Sequence, residues 1–360
     1  MKMVEVRLEN ITHIYVTGRK TQTLAVKDIN LTFPHASFCA LLGPSGCGKT
    51  TLMRIIAGLN IQTSGHVYFD QQEVTPLTPR ERNVAMVFQF PVLYEMNVYE
   101  NIAFPLRSVK VPESEVKRKV KEVAELVGVT HILNVHPSTL DMGSKQKVVL
   151  ARALVREPNV FLFDEPLTNL DPLGRLEMRS KIKELQRNIK TTMIYVTHDQ
   201  AEALTLADKI AVMDFGVVVQ YDEPTKLYEH PKNEFVGFFL GNPGMNFIQG
   251  TLEDNAINFG EFKYDVSDVV EKLKEYGTEF KIGIRAEYIK VSKKPFKGAF
   301  KAKCIVSEHL GTLTLLDLKA GDKEFKAKLR ITDVKEGDEV YVQFPKEKVH
   351  IFNKAGELII

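Results

Sequence analysis

A glycine-rich segment, residues 43–50, carries the residue types best suited to holding phosphate groups. Its sequence GPSGCGKT fits the pattern G-x-x-x-x-G-K-[ST], and it joins an apolar strand-like run at 38–42 to a helix-like run at 51–57. Glycines let backbone N–H groups face an anion, and the start of the helix adds a positive dipole. Lys49 can reach the outer phosphates, and the Thr50 hydroxyl can hold Mg²⁺. The predicted phosphate-binding residues are Gly43, Pro44, Ser45, Gly46, Cys47, Gly48, Lys49, Thr50 and Thr51.

Two carboxylates follow a second apolar run. The segment VFLFDE places Asp164 at the predicted tip of a buried strand, with Glu165 directly after it. A carboxylate at such a tip can hold Mg²⁺ through water, and its neighbour can orient or deprotonate an attacking water. Without the phosphate loop upstream, the same pattern would be compatible with a solvated acidic turn.

His198 and Gln89 also follow apolar strand-like runs. Ligands of open α/β sheets bind at the carboxyl ends of the strands, so His198 is interpreted as a sensor of the terminal phosphate. Gln89 lies at a third strand tip, and considered by itself it would be a surface amide.

Strand-like and helix-like runs alternate along the first two thirds of the chain. This alternation predicts an α/β fold with a mainly parallel sheet covered by helices. Together with the glycine-rich segment at 43–50, it predicts a fold of the P-loop NTPase kind. Residues 91–140 carry little strand signal and predict a helical insertion, so that a helical subdomain extends over about 91–155. The predicted strands are 36–42, 84–88, 160–164, 192–197 and 210–214, and the predicted helices are 49–57, 114–127, 144–155, 173–188 and 199–207.

A cluster of turn residues at 240–244 predicts a linker. Beyond it, short alternating runs separated by Gly, Asp and Lys predict a small all-β, barrel-like domain. The chain is therefore divided into residues 1–240 and residues 241–360. The predicted strands of the second domain are 280–284, 298–307, 312–318, 324–329 and 340–344.

The composition is ordinary for a globular protein. The 360 residues are 44% hydrophobic and 26% charged, with a net charge of +2, which gives no general electrostatic case for nucleic acid. Three cysteines without metal-ligand spacing suggest a reducing compartment. The charged N-terminus indicates a strand rather than a targeting segment. Since no run reaches the ~18 apolar residues that span a bilayer, a partner would have to anchor the protein at a membrane.

Together these residues resemble the ATPase subunit of ATP-binding-cassette (ABC) transporters. Six elements of that family occur in the family's order over roughly residues 3–240, and one of them is altered. The elements are residues 43–50, Gln89, residues 140–146, Asp164 with Glu165, residues 170–171, and His198.

The resemblance implies how the nucleotide and its metal are held. Tyr15 would stack on the adenine of ATP, while Lys49 and the loop amides would hold the phosphates. Thr50 and Gln89 would bind Mg²⁺, with Asp164 behind them. ATP and Mg²⁺ are therefore the implied cofactors.

The resemblance also implies the catalytic and interface residues. Glu165 would be the catalytic base, and His198 would contact the γ-phosphate. Asp171 would lie at a dimer interface and link two ATP sites. Gln89 and the helical insertion would also touch a membrane partner.

The C-terminal third resembles one subgroup of these proteins. Residues 240–247 and 283–289 are similar to segments in importers of maltodextrins, other oligosaccharides and glycerol phosphate, and residues 93–94 and 97–104 add support. Those importers carry an oligonucleotide-binding-type (TOBE-like) β-barrel domain that regulates or stabilises the dimer. Importers of polyamines, iron and sulfate share the layout. The resemblance implies import of a solute, with a sugar or oligosaccharide favoured.

The signature loop departs from the family. Its usual sequence is LSGGQ, and here residues 140–144 read LDMGS, so that only Leu140 and Gly143 agree. In the family this loop closes over ATP bound to the opposite subunit, and its serine donates to the γ-phosphate. Ionised Asp141 cannot donate and adds a negative charge near a polyanion. Aspartate nevertheless caps a helix as well as serine does, so a capped helix without phosphate contact stays an alternative.

Two hypotheses follow from the altered loop. The protein either pairs with a different ATPase subunit that has an intact loop, or it pairs with itself and hydrolyses ATP slowly. The second hypothesis is favoured, because the phosphate loop, both carboxylates and His198 are present.

The sequence thus predicts an ATP-hydrolysing subunit of an ABC importer. Its expected partners are a second ATPase subunit, transmembrane permease subunits and, indirectly, an extracytoplasmic solute-binding protein, without nucleic acid. It would lie peripherally at the cytoplasmic face of the cell membrane. The alternatives are an ABC ATPase that works outside transport, as in DNA repair or translation, and a regulatory partner that no longer turns over ATP.

Overall fold

The computed structural model describes residues 4–17, 21–330 and 332–360. The chain divides into two compact units, residues 1–224 and residues 225–360. The strands of the first unit are β1 (Val6–Thr17), β2 (Thr21–Phe33), β3 (Phe38–Leu42), β4 (Ser64–Phe69), β5 (Gln72–Glu73), β6 (Val84–Val87), β7 (Val160–Asp164), β8 (Thr192–Thr197), β9 (Lys209–Asp214) and β10 (Val217–Asp222). Its helices are α1 (Lys49–Ala57), α2 (Pro79–Arg82), α3 (Val98–Arg107), α4 (Glu113–Val127), α5 (Met142–Leu154), α6 (Pro172–Ile189) and α7 (Gln200–Leu206).

A six-stranded sheet in the order β10-β9-β3-β8-β7-β6 forms the centre of the first unit. All its strand pairs are parallel except the edge pair β9 and β10. Strands β3, β7 and β8 are buried at every residue. Strands covered on both faces read as continuous apolar runs, which is why their sequences lack a period of two.

An antiparallel sheet in the order β2-β1-β4-β5 packs with the central sheet around helix α1. Leu52, Ile55 and Ile56 of this helix are wholly inaccessible to solvent and join one hydrophobic core with residues of both sheets. The core therefore holds the start of α1, and with it the phosphate loop, in a fixed place.

The helical insertion consists of α3, α4 and α5, which contact one another. Helix α4 buries Val116, Val120, Ala124 and Val127, a spacing of three to four residues that makes one apolar stripe. It ends at Gly128 in the left-handed conformation, with φ of 78°. The predicted helical insertion is confirmed.

The second unit begins with two short helices and continues as a predominantly β domain. Its strands form two five-stranded sheets, β13-β12-β11-β14-β20 and β15-β19-β16-β17-β18, around one hydrophobic core. The helices are α8 (Pro224–Glu229), α9 (Glu234–Phe239) and α10 (Val270–Lys274). The strands are β11 (Asn246–Glu253), β12 (Ala256–Asn258), β13 (Lys263–Asp265), β14 (Glu279–Ile284), β15 (Lys290–Ser292), β16 (Phe300–Leu310), β17 (Leu313–Ala320), β18 (Lys323–Arg330), β19 (Glu339–Gln343) and β20 (Val349–Asn353).

The predicted elements occur at the expected places, with shifted ends. The strand predicted from residue 36 begins at Phe38, because Ala36 has a φ of 54° and lies in a turn. The helix predicted from Ser144 begins at Met142, because Asp141 caps it two residues earlier. The domain boundary predicted at 240–241 falls inside the second unit, directly after α9, and stays a prediction.

Candidate active site

The register of the parallel strands brings the predicted site residues to one edge of the central sheet. Leu42 at the end of β3 lies opposite Thr197 at the end of β8, and Asp164 at the end of β7 lies opposite Val196. Val87 at the end of β6 lies opposite Phe163. The phosphate loop, His198, Glu165 and Gln89 follow these strand ends, so that all four leave the sheet at the same edge.

The phosphate loop makes a close turn onto α1. Gly48 has a φ of 101°, and a Cβ atom there would lie 2.4 Å from the Ala25 carbonyl oxygen, so only glycine fits. Lys49 is 5% exposed, and its Nζ donates to the carbonyl oxygens of Gly43 at 2.9 Å and Pro44 at 2.8 Å. The ammonium group is thus folded back into the loop, where a phosphate could accept from it.

A hairpin supports the loop from the side. The N–H of Gly216, between β9 and β10, donates to the Cys47 carbonyl oxygen at 3.1 Å. The Cys47 thiol is buried, and burial raises its pKa, although Lys49 offsets part of this rise. The thiol therefore stays protonated at neutral pH.

Thr50 and Asp164 meet directly at the strand ends. The Thr50 hydroxyl donates to Asp164 Oδ1 at 3.0 Å. Asp164 is 8% exposed, and this burial raises the pKa of its carboxyl, while the hydrogen bond from Thr50 lowers it in part. A desolvated carboxylate beside a hydroxyl is a site that a cation would stabilise.

Glu165 and His198 form the second contact of the edge. His198 Nδ1 lies 3.0 Å from Glu165 Oε2, and the Thr168 hydroxyl donates to the same oxygen at 3.3 Å. The Glu165 backbone has a φ of 47°, and its N–H donates to the Val196 carbonyl oxygen at 3.0 Å. The strand end and this left-handed residue together aim the carboxylate at the imidazole.

Gln89 is joined to the loop that follows Glu165 by a residue that the sequence did not single out. The side-chain amide of Asn169 donates to the Gln89 carbonyl oxygen at 2.9 Å. Two residues further on, Asp171 caps α6, and its Oδ1 accepts from the N–H groups of Leu173 and Gly174 at 3.0 Å. The signal in the sequence that could have identified Asn169 is its position between the acidic pair at 164–165 and Asp171.

Tyr15 lies near the start of α1. Its hydroxyl is 3.3 Å from the Thr51 hydroxyl and accepts from the Asn60 side chain at 2.7 Å. The side chain is 37% exposed and stands edge-on to His13, with ring centroids 4.5 Å apart. A ring surface beside the phosphate loop is therefore open to a ligand.

The altered signature loop forms the start of α5. Asp141 Oδ1 accepts from the Ser144 N–H at 2.9 Å, and Oδ2 accepts from the Ser144 hydroxyl at 2.7 Å. These bonds lower the pKa of Asp141, so the carboxyl is ionised at neutral pH. Met142 is 42% exposed, and a Cβ at Gly143 would lie 3.2 Å from Asp141 Oδ1. The expected helix cap is confirmed, and the hydrogen bonds of Asp141 are local to its own helix.

Two family models match the chain in agreement with this geometry. The model for ABC transporters matches residues 26–168, and the model for the MalK OB fold domain matches residues 241–289. The fold and the site thus define an ABC ATPase with an OB-type C-terminal domain.

The full chain is similar to import proteins of this class. It is 42% identical to the trehalose/maltose import ATP-binding protein MalK of Thermococcus litoralis, over 98% of both chains. It is 40% identical to the oligosaccharides import ATP-binding protein MsmX of Bacillus subtilis, over 99% of this chain and 100% of that protein. For the sn-glycerol-3-phosphate import ATP-binding protein UgpC of Psychromonas ingrahamii, the identity is 41% over 89% of this chain and 83% of that protein.

The chain also resembles a solved structure, the dimeric ATP-binding cassette MJ0796 in a post-hydrolysis state bound to ADP and Pi. The two sequences are 28% identical, and the structures superpose with a TM-score of 0.55. The match covers 61% of this chain and 98% of that structure.

The chain belongs to the import ATP-binding proteins of the ABC transporter family. It is therefore an ATPase and the ATP-binding subunit of an ABC importer, as the sequence predicted, and the alternative of an ABC ATPase outside transport finds no support. Among the described residues, every helix is too short or too polar to cross a membrane.

Proposed function

We propose that this subunit drives the import of a sugar or oligosaccharide by hydrolysing ATP at the strand-end site. The proposal is supported chiefly by the two contacts at that edge, Thr50 with Asp164 and Glu165 with His198. The sugar assignment is supported by the printed functions of the relatives, which import trehalose, maltose and oligosaccharides.

ATP binds along the phosphate loop, with its adenine on the exposed ring of Tyr15. The loop amides and the dipole of α1 hold the phosphates, because both present positive charge to an anion. Lys49 Nζ exchanges its two loop carbonyl acceptors for phosphate oxygens. The hydroxyl groups of Thr51 and Tyr15 lie within hydrogen-bond distance, so Thr51 links the adenine side of the site to the phosphate side.

The residues at the strand ends fit Mg²⁺. The Thr50 hydroxyl, the Gln89 side chain and the Asp164 carboxylate are hard oxygen donors, and Asp164 is desolvated without a cationic partner in direct contact among the described residues. Thr50 and Gln89 would hold the ion, with Asp164 behind them. When bound, Mg²⁺ would neutralise negative charge on the phosphates of ATP.

Glu165 acts as the catalytic base. Its Oε2 is held by His198 and Thr168, and it orients and deprotonates the water that attacks the γ-phosphate. The imidazole of His198, which is half exposed, contacts the γ-phosphate from the neighbouring strand end. As the water oxygen bonds to the γ-phosphorus, its proton passes to the Glu165 carboxylate, and the bond from the γ-phosphorus to the bridging oxygen breaks to release ADP and phosphate.

Two copies of the chain bind ATP between them. Nucleotide binds the closed pair better than the open pair and shifts the population towards closure. Asp171, at the start of α6, lies at the interface and links the two sites, while Asp141 and Gly143 face the nucleotide of the other copy. The weakened signature loop makes this closure slower or weaker than a serine-containing loop would.

The helical insertion docks onto a transmembrane permease. A groove of about 290 Å³ lies between β6 and helices α3 and α5, lined in part by Tyr94, Phe104 and Arg152. Tyr94 and Phe104 are 44% exposed, and Arg152 lies over the Tyr94 ring at 5.1 Å. Exposed apolar surface rimmed by polar groups is typical of a protein contact. The subunit would thus lie peripherally at the cytoplasmic face of the membrane, with a solute-binding protein on the other side.

The substitution Glu165→Gln tests the proposed mechanism. We expect ATP turnover to fall by about 10³-fold or more, with ATP still bound, and an ATP-dependent dimer to accumulate in light scattering. Glu122→Gln, an exposed change on α4, is the matched control and should leave both properties unchanged. A Glu165→Gln variant that turns over ATP like the parent, or that dimerises no better with ATP, would contradict the role of Glu165.

Uptake measurements test the substrate. With its transmembrane partners in vesicles, the subunit should support ATP-dependent uptake of labelled maltose, trehalose or longer glucosides. Uptake of glycerol phosphate in their place would overturn the sugar assignment while leaving the ATPase mechanism intact.

A further inference from the structure

One buried carboxylate of the first unit has no part in the mechanism above. Glu202, on α7, is only 4% exposed. Its Oε2 accepts from the Tyr195 hydroxyl and from the Thr197 hydroxyl, each at 2.8 Å. Because burying a carboxylate is costly unless hydrogen bonds satisfy it, these two donors are what hold it in place.

The hydrogen bonds around Glu202 involve the residues on both sides of His198. The Thr197 hydroxyl also accepts from the Asp199 N–H at 3.0 Å, and Asp199 Oδ1 accepts from the Glu202 N–H at 3.1 Å. The bonds form a closed ring through Glu202, Thr197 and Asp199. His198 lies between the last two. Thr197 is tied directly to the Glu202 carboxylate, and Asp199 is tied to the Thr197 hydroxyl and to the Glu202 backbone N–H.

We propose that Glu202 is a positioning residue that holds the His198 imidazole at Glu165 and at the γ-phosphate. This proposal rests on the role of His198 proposed above. The His198 side chain is 49% exposed, so little packing orients it. The ring formed by Glu202, Thr197 and Asp199 therefore determines where the imidazole points, through the backbone on either side of it.

Tyr195 offers a matched comparison within the same network. Its hydroxyl donates to the same Glu202 oxygen, but it lies earlier on β8 and makes no bond to Asp199. Burial, with the neighbouring Glu202 carboxylate, raises the pKa of Tyr195 well above its ordinary value, so the phenol stays a donor. Thr197 and Tyr195 thus differ mainly in whether they reach the backbone beside His198.

Paired substitutions separate positioning from stability. Thr197→Val and Tyr195→Phe each remove one hydroxyl donor to Glu202, and both should lower the unfolding midpoint. We expect Thr197→Val to lower kcat for ATP on the order of 10- to 100-fold with KM for ATP unchanged, because small misplacements of catalytic groups have effects of this size. Tyr195→Phe should keep kcat close to that of the parent. Equal losses of kcat in both variants would overturn the proposal.

A double-mutant cycle tests the coupling to His198. We expect Glu202→Ala to lower kcat in the parent and to have no further effect in the His198→Ala background, because it acts only through the imidazole. Glu202→Gln, whose carbonyl oxygen can accept both hydroxyl groups, should restore kcat even if Glu202→Ala folds poorly. Thr205→Ala is the control on α7, since its hydroxyl bonds only within the helix.

The outcomes distinguish the two proposals. If His198→Ala leaves kcat unchanged, the proposed role of His198 fails and the role of Glu202 fails with it. If His198→Ala lowers kcat but the two changes multiply, or Glu202→Gln does not restore activity, only the positioning role of Glu202 is refuted.

Discussion

The substitution Asp141→Asn removes one negative charge from the signature loop while keeping its helix cap. Both carboxylate oxygens of Asp141 are occupied by Ser144, at 2.9 and 2.7 Å. Asparagine caps helices as well as aspartate through its one amide oxygen, so the free energy of unfolding should change by less than in an alanine variant. The effect of the substitution is therefore expected in the ATP-bound dimer.

Coulomb's law sets the size of that effect. Two unit charges ~4 Å apart repel by about 1 kcal/mol in water and by about 4 kcal/mol at an effective dielectric constant near ~20. The lower figure corresponds to about 5-fold in an equilibrium constant at one site. A symmetrical dimer has two such sites, so we expect Asp141→Asn to strengthen ATP-dependent dimerisation roughly 30-fold or more at low salt.

Sedimentation in the Glu165→Gln background measures this dimer constant without hydrolysis. The gain should shrink as salt is raised, because exposed charges are screened. Glu122→Gln on α4 removes a carboxylate that pairs with Arg118 of the same helix at 2.8 Å, and it should leave the dimer constant unchanged. If Asp141→Asn does not tighten the dimer, the carboxylate does not face the nucleotide and the loop is only a cap.

The variant Asp141→Ala measures the cap separately. Losing an N-cap destabilises by about 1 kcal/mol, which lowers the melting temperature by about 2–4 °C in a domain of this size. Because the folded-state pKa of Asp141 lies below its ordinary value of 3.8, the stability from the ionised cap is present above pH 3.8 and is lost as the pH falls through the folded-state pKa. The melting temperatures of parent and alanine variant should therefore converge in acid, and equal temperatures at pH 7 would contradict the cap.

Three further outcomes are expected. Lys49→Met removes charge-assisted bonds worth about 1.5–3 kcal/mol each, so ATP affinity should fall about 10- to 100-fold in a nucleotide titration, and unchanged affinity would refute the role of Lys49. Arg285→Met removes the guanidinium donor from the carbonyl groups of Tyr228, Gly237 and Leu240 in the second unit, although the Gly237 carbonyl keeps the Met245 N–H, and that unit should lose several kcal/mol of stability in denaturant unfolding. Cys47 should react with iodoacetamide more slowly than a free thiol at pH 7, because its raised pKa lowers the thiolate fraction; a rate equal to that of free cysteine, measured with Cys39 and Cys304 replaced by serine, would contradict this.

The sequence by itself determined the elements whose chemistry is local. Strands β3, β7 and β8 were predicted within two residues, because strands buried on both faces are continuous apolar runs. The antiparallel sheet that contains β1 was not predicted, since register shifts between Leu8 and Ile14 break the alternation of apolar and polar residues along β1. Strand β11 was also missed, because it begins two residues after the turn cluster at 240–244 and contains Gly250.

Only the tertiary structure decided which of the site residues meet. Thr50 and Asp164 are 114 positions apart, and Glu165 and His198 are 33 apart. Their contacts follow from strand order and register, which depend on how distant segments pack and not on the spacing within any motif. The hydrogen-bonded ring of Glu202, Thr197 and Asp199 could not be predicted from the sequence for the same reason. An acidic residue on a short helix such as α7 is expected to be exposed until its packing against β8 is known.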